Sequence, residues 1–136
     1  MNDKEQTLSI IKPDAVERNL ENEIKDIFKN KGFKIIKEKK IQIDKSEAEK
    51  FYKVHETKPF YNDLCAYLSS GPIVAMVLEK ANAILENREV MGATNPSEAK
   101  DGTIRKKYGI SIDKNSVHGS DSVENAKIEI DFFFKD

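Results

Sequence analysis

The chain has 136 residues, 38% of them apolar and 35% charged, with 23 Lys and Arg against 24 Asp and Glu. That length suits one domain, spanning residues 1–136, with a full hydrophobic core, and a formal net charge of −1 excludes a dedicated nucleic-acid binder, which carries a clear basic excess. A single cysteine, Cys65, excludes an intrachain disulfide; no apolar run approaches a membrane span, and the polar N-terminus is neither a signal nor a transit peptide, so the sequence predicts a cytoplasmic protein.

Thr7, Leu8, Ile10 and Ile11 predict a strand at 7–11. Pro13 starts a helix with Asp14 in its first turn; Leu20, Ile24, Ile27 and Phe28 keep helical spacing, and Gly32 ends it. Phe33, Ile35, Ile41 and Ile43 share one parity, which predicts a long half-exposed strand with lysines on its outer face. Asp44 and Glu47 form a capping box for a helix carrying Ala48, Phe51, Tyr52 and His55 on one face, and Pro59 breaks that helix. Phe60, Leu64, Tyr67 and Leu68 mark another helix, closed by Gly71-Pro72.

Residues 73–78 are a continuous apolar run, predicting a central strand buried on both faces, and 83–90 predict a helix carrying Arg88. Residues 91–115 are punctuated by Gly92, Asn95, Pro96, Gly102 and Gly109, with helical spacing only at 102–108. A loop this long inside a compact domain usually carries function. A short strand near Val117 follows, then a helix opened by Asp121, with Glu124 completing a capping box, and an aromatic tail at 132–134 after it. The order β-α-β-α-β-α-loop-β-α predicts an α/β (α+β) sandwich of the ferredoxin-like, split βαβ type: a four-stranded, mainly antiparallel sheet with helices packed around it on one face.

Two features suggest phosphate chemistry. Arginine occurs only at 18, 88 and 105, against 20 lysines, so each arginine is either an ordinary surface ion pair or a planar clamp for an oxyanion. His118, one of two histidines, precedes Gly119 and the cap residues Ser120 and Asp121, which places a nucleophile candidate beside free helical N–H groups that favour phosphate. Glu129 reads as a solvated helix charge or as a carboxylate that could fold back and orient the imidazole. Lys12 ends the first strand, where such sheets commonly place ligands. Phe60, after Pro59, is either a helix start or a stacking platform; Tyr52 and His55 read as core; Thr94 reads as a turn residue. The glycine-rich phosphate loop and the dinucleotide fingerprint are both missing from the sequence, as is any Cys/His zinc cluster, so phosphate must be met by discrete lysine and arginine side chains and a helix N-terminus.

The segment Asn115-Ser116-Val117-His118-Gly119-Ser120-Asp121 resembles the Asn-x-x-His-Gly-Ser-Asp signature of nucleoside diphosphate kinases. Ile11-Lys12-Pro13-Asp14-Ala15, Gly71-Pro72-Ile73-Val74-Ala75-Met76, Gly92-Ala93-Thr94-Asn95-Pro96 and Gly102-Thr103-Ile104-Arg105 resemble further segments of that family in order. The resemblance implies ping-pong transfer of the γ-phosphate of a nucleoside triphosphate such as ATP to a nucleoside diphosphate. His118 would be the carrier through Nδ1, oriented by Glu129 with support from Ser120. Lys12, Tyr52, Arg88, Thr94 and Arg105 would contact the phosphates or the catalytic centre, Asn115 the sugar and phosphate region, and Phe60 the base. It further implies Mg2+ held mainly by the nucleotide's phosphates, with no dedicated metal ligands, and a homo-oligomer, tetramer or hexamer. Ser120 and Asp121 then position the histidine rather than bind phosphate. Asn19, Asn22 and Lys80 stand where the family often has glycine, and asparagine tolerates left-handed backbone better than most residues.

Overall fold

Strands β1 (Lys4–Ile11), β2 (Lys34–Ile41), β3 (Ile73–Ala81) and β4 (Val117–Gly119) form an antiparallel sheet in the order β2-β3-β1-β4. This is a computed structural model, and it describes residues 4–111 and 114–134. The first three residues of the polar N-terminal segment, residues 112–113 of the long loop and the last two residues lie outside the described residues. The helices are α1 (Pro13–Glu17), α2 (Glu21–Asn30), α3 (Lys45–Phe51), α4 (Tyr61–Leu68), α5 (Ala83–Met91), α6 (Ile104–Tyr108) and α7 (Val123–Phe134). Short 3-10 turns at Lys53–His55 and Pro96–Glu98 join them.

The four-stranded ferredoxin-like arrangement is as expected, with one correction: helices cover both faces of the sheet. On one face Ile11, Val74, Met76 and Leu78 pack against Ile24, Phe28, Met91 and Ile104 of α2, α5 and α6. On the other, Leu8, Ile10, Ile73 and Ala75 pack against Ala48, Cys65, Leu68 and Phe133 of α3, α4 and α7. The cause lies in β1 and β3, the central strands. Their apolar residues occupy consecutive positions, so each face needs cover of its own.

Four further expectations are corrected. The helix expected from Pro13 to Gly32 is two helices, because Asn19 adopts φ +60 and turns the chain between α1 and α2. Asn22, by contrast, is an ordinary residue of α2. The shared parity of Phe33, Ile35, Ile41 and Ile43 does not mean one face. Ile35 pairs with Leu78 but Lys37 pairs with Val77, so Ile36 is an extra residue in the ladder. This bulge flips the remainder of β2: Phe33 and Ile35 join the first core, and Ile41 and Ile43 the second. Finally, α7 is opened by Ser122, whose Oγ accepts from the Asn125 amide at 3.0 Å. Asp121 does not form the expected box with Glu124; its Oδ1 accepts from the Asn125 side chain at 2.6 Å. The chain is still bound to the sheet at Ser120, whose amide donates to the Leu8 carbonyl, so it cannot turn helical at once. Phe132–134 belong to α7 itself rather than to a tail. The box of Asp44 and Glu47 at α3 forms as expected.

Candidate active site

His118 lies on β4, the edge strand beside β1, and its register partner is Ile10. Its ring therefore projects to the face covered by α3 and α7, where Phe51 meets it edge-on at 5.3 Å and Tyr52 at 6.3 Å between ring centroids. Behind the ring, Nε2 lies 3.1 Å from Glu129 Oε1, and Ser120 Oγ donates to the same oxygen at 2.7 Å. An ionised carboxylate can only accept, so in the neutral ring His118 donates from Nε2 and Nδ1 keeps the lone pair. Ser120 is itself fixed to β1, where its Oγ accepts from the Leu8 amide at 3.3 Å. Gly119, one residue on, faces α5 so closely that a side chain there would run into Asn87 and Met91.

The ring lines a cavity of 540 Å³ that also takes in Lys12, Tyr52, Phe60, Arg88, Thr94, Arg105 and Asn115. The structure thus gathers these candidates around one space, with Ser120 and Glu129 supporting the histidine from behind. Lys12 sits where β1 gives way to α1; its Nζ donates to Asn115 Oδ1 at 2.9 Å, and Asn115 Nδ2 donates to the Thr94 carbonyl at 3.1 Å. Arg105, on α6 and buried, donates from Nη1 to the Gly92 carbonyl at 3.0 Å and from Nη2 to the Val117 carbonyl at 2.9 Å. Its buried Nε has no hydrogen-bond partner. Burial, with Arg88 nearby, brings Arg105 down to about 10. Tyr52 is pushed well above the usual phenol range by burial and by the Glu129 carboxylate. Phe60 is 44% exposed at the mouth of the cavity, beside Leu64.

Arg18 goes elsewhere. It bonds the Asp14 side chain and carbonyl and the Tyr108 carbonyl, so this arginine ties α1 to the end of α6. Two further cavity residues carry no phosphate signal in the sequence. His55 and Asp121 both line the space. His55 shared a helical face with Tyr52, and that was the available signal. Its ring lies between Tyr52 and Phe60, at 6.2 and 6.1 Å, and burial together with Lys58 lowers its pKa. Asp121 read only as a helix cap, and its neighbour Ser122 performs that task.

A ferredoxin-like sandwich that sets two arginines and a lysine around a carboxylate-oriented histidine defines a protein built to handle phosphate groups. Known proteins narrow this class. Residues 5–136 match the family model for nucleoside diphosphate kinase. The nucleoside diphosphate kinase of Persephonella marina is 57% identical over 130 residues, covering 96% of this chain and 93% of its own. That of Campylobacter jejuni serotype O:6 is 58% identical over 131 residues, covering 96% of each. Among solved structures, the Aquifex aeolicus nucleoside diphosphate kinase superposes with a TM-score of 0.96 at 41% identity, covering 98% of this chain and 96% of that one. The Encephalitozoon cuniculi nucleoside diphosphate kinase superposes with a TM-score of 0.93 at 38% identity, covering 97% and 90%. The chain belongs to the nucleoside diphosphate kinase family and is a phosphotransferase.

Proposed function

We propose that His118 carries the phosphoryl group in a ping-pong exchange between nucleoside triphosphates and diphosphates. The Nε2–Glu129 hydrogen bond carries this reading, because it leaves Nδ1 unprotonated on a ring that lines a cavity walled by Lys12, Arg88 and Arg105. In the first half-reaction the Nδ1 lone pair attacks the γ-phosphorus. The bond to the bridging oxygen breaks, and the nucleoside diphosphate leaves with that electron pair. Nε2 keeps its proton, and the Glu129 carboxylate stabilises the cationic ring. In the second half-reaction a terminal oxygen of the acceptor diphosphate attacks, the N–P bond breaks, and neutral His118 returns.

Phosphoryl transfer depends on positioning and charge neutralisation, and the three cations supply both. Arg105 suits this role because an oxyanion relieves a buried charge that still holds an unpartnered donor. Phe60, exposed at the mouth, offers a face on which a base stacks; stacking without edge contacts tolerates any base. Among the described residues no group of three His, Cys, Asp or Glu side chains could hold a metal, and Asp121 is the carboxylate that lines the cavity. Mg2+ would be carried in on the nucleotide's phosphates, with Asp121 the cavity carboxylate available to it. When bound, the ion would help neutralise the charge of the phosphates.

Initial rates at several fixed acceptor concentrations test the scheme: it predicts parallel double-reciprocal lines, and intersecting lines would overturn it. We also read the chain as a homo-oligomer, tetramer or hexamer. Exposed Ile128 and Phe132 on α7 support an apolar self-contact, and sedimentation velocity should give a mass four or six times that of the chain. Among the described residues no helix is long and apolar enough to cross a membrane, in keeping with a cytoplasmic site of action.

A further inference from the structure

Asp14 is a buried carboxylate with no part in the exchange just described, and it is multiply bonded. Its side chain is 4% exposed. Tyr67 of α4 donates its hydroxyl to Oδ1, and the Asp14 amide donates back to that hydroxyl at 2.8 Å. Ser116 Oγ donates to Oδ2 at 3.1 Å and Arg18 Nη2 at 3.3 Å. The carboxylate therefore gathers α1, α4 and the segment entering β4.

Ser116 is the strained member of this group. It adopts φ +76 without being glycine, and the Val117 amide donates to the Asn115 carbonyl at 2.9 Å. A hydrogen bond between residues two apart across a positive φ is a γ-turn of the rare, strained form, which persists only where its surroundings hold it. Those surroundings are Asp14 and, at 3.4 Å, Arg18 Nη2 on the Ser116 hydroxyl, and the Lys12 amide, which donates to the Ser116 carbonyl at 2.8 Å. The turn stands between Asn115, which accepts from Lys12 Nζ, and the strand that bears His118.

We propose that Asp14, supported by Tyr67, is a positioning residue for the transfer: by clamping the strained turn at Ser116 it sets Lys12 and Asn115 against His118. This rests on the reading of His118 as carrier and of Lys12 and Asn115 as phosphate contacts. A misplacement of about 1 Å costs roughly 100-fold in such geometry.

The test compares single-turnover phosphorylation of His118 by MgATP with phosphorylation by phosphoramidate, a small donor with no nucleotide to align. Asp14→Asn should slow the MgATP reaction by roughly 10- to 100-fold and leave the phosphoramidate reaction at the wild-type rate, with Tyr67→Phe showing a smaller loss of the same kind. Glycine takes a positive φ without strain, so in a Ser116→Gly background Asp14→Asn should cost much less, a coupling that a double-mutant cycle reads directly. The inference is overturned if both variants phosphorylate at the wild-type rate, if both donors lose rate equally, or if the cost of Asp14→Asn is the same beside Gly at 116. Should Asp14→Asn not fold, Tyr67→Phe decides by the same comparison of donors. A wild-type chain that takes no label from MgATP overturns the parent reading and this inference with it. A wild type that labels while the variants match it overturns this inference alone.

Discussion

Arg105 shows function and stability pulling apart at a single side chain. Burial holds its pKa near 10, below the ordinary guanidinium range, so the fold disfavours the charged form. For a cation this sign means that the protonated side chain costs stability at neutral pH, and that the cost fades as pH rises through about 10. Arg105→Met should therefore keep or raise the melting temperature while slowing transfer roughly 100-fold, the scale of losing one transition-state charge contact. An unchanged rate in a steady-state assay would remove Arg105 from the site. At Glu129 the bonds to His118 and Ser120 lie behind the ring and away from the cavity. Glu129→Gln should lower kcat while nucleotide affinity, measured by calorimetry, stays nearly intact; equal loss of both would make its role one of packing.

At the scale of elements, local rules read most of the chain and fail where one residue breaks a repeat. Residues 73–78 declared a central strand through an unbroken apolar run, and Asp44 with Glu47 declared a helix start through side chains that bond their own backbone. The bulge at Ile36 left no comparable mark. Four apolar residues of one parity satisfy a straight strand and a bulged strand equally well, and only pairing with β3 distinguishes them. Asn19 was seen to tolerate left-handed backbone, yet the helical spacing around it masked the break. In the long loop, Gly92 was visible as punctuation, but its task is tertiary. It adopts φ +87, and a Cβ there would lie 2.5 Å from Thr103 Oγ1, while its carbonyl anchors Arg105. Gly92→Ala should cost at least about 1–2 kcal/mol for the backbone alone in urea unfolding, and should slow transfer by displacing Arg105. A variant of wild-type stability and rate would contradict this reading of the loop.

For the whole molecule, the site forms where the edge strand β4, the end of β1 and the long loop converge. Lys12 and His118 are far apart in sequence but are joined through one antiparallel pair, β1 with β4. A phosphate-handling role for His118 and the arginines was suggested by residue type, because scarce arginines and a histidine beside glycine stand out in a lysine-rich chain, whereas roles for Tyr52, Phe60, Thr94 and Asn115 came only with the family resemblance. Their assembly could not be read, since periodicity says which face a residue takes but not which strand lies beside it. His55 and Asp121 escaped for that reason: each has a sufficient local explanation, and only the closed fold turns them toward the cavity. The most direct measurement is transfer of label from γ-labelled ATP with Mg2+ to the protein. An acid-labile phosphohistidine that a nucleoside diphosphate discharges, and that His118→Ala abolishes, is the predicted result. No label, or label that persists in His118→Ala, would contradict the assignment of His118 as the phosphate carrier.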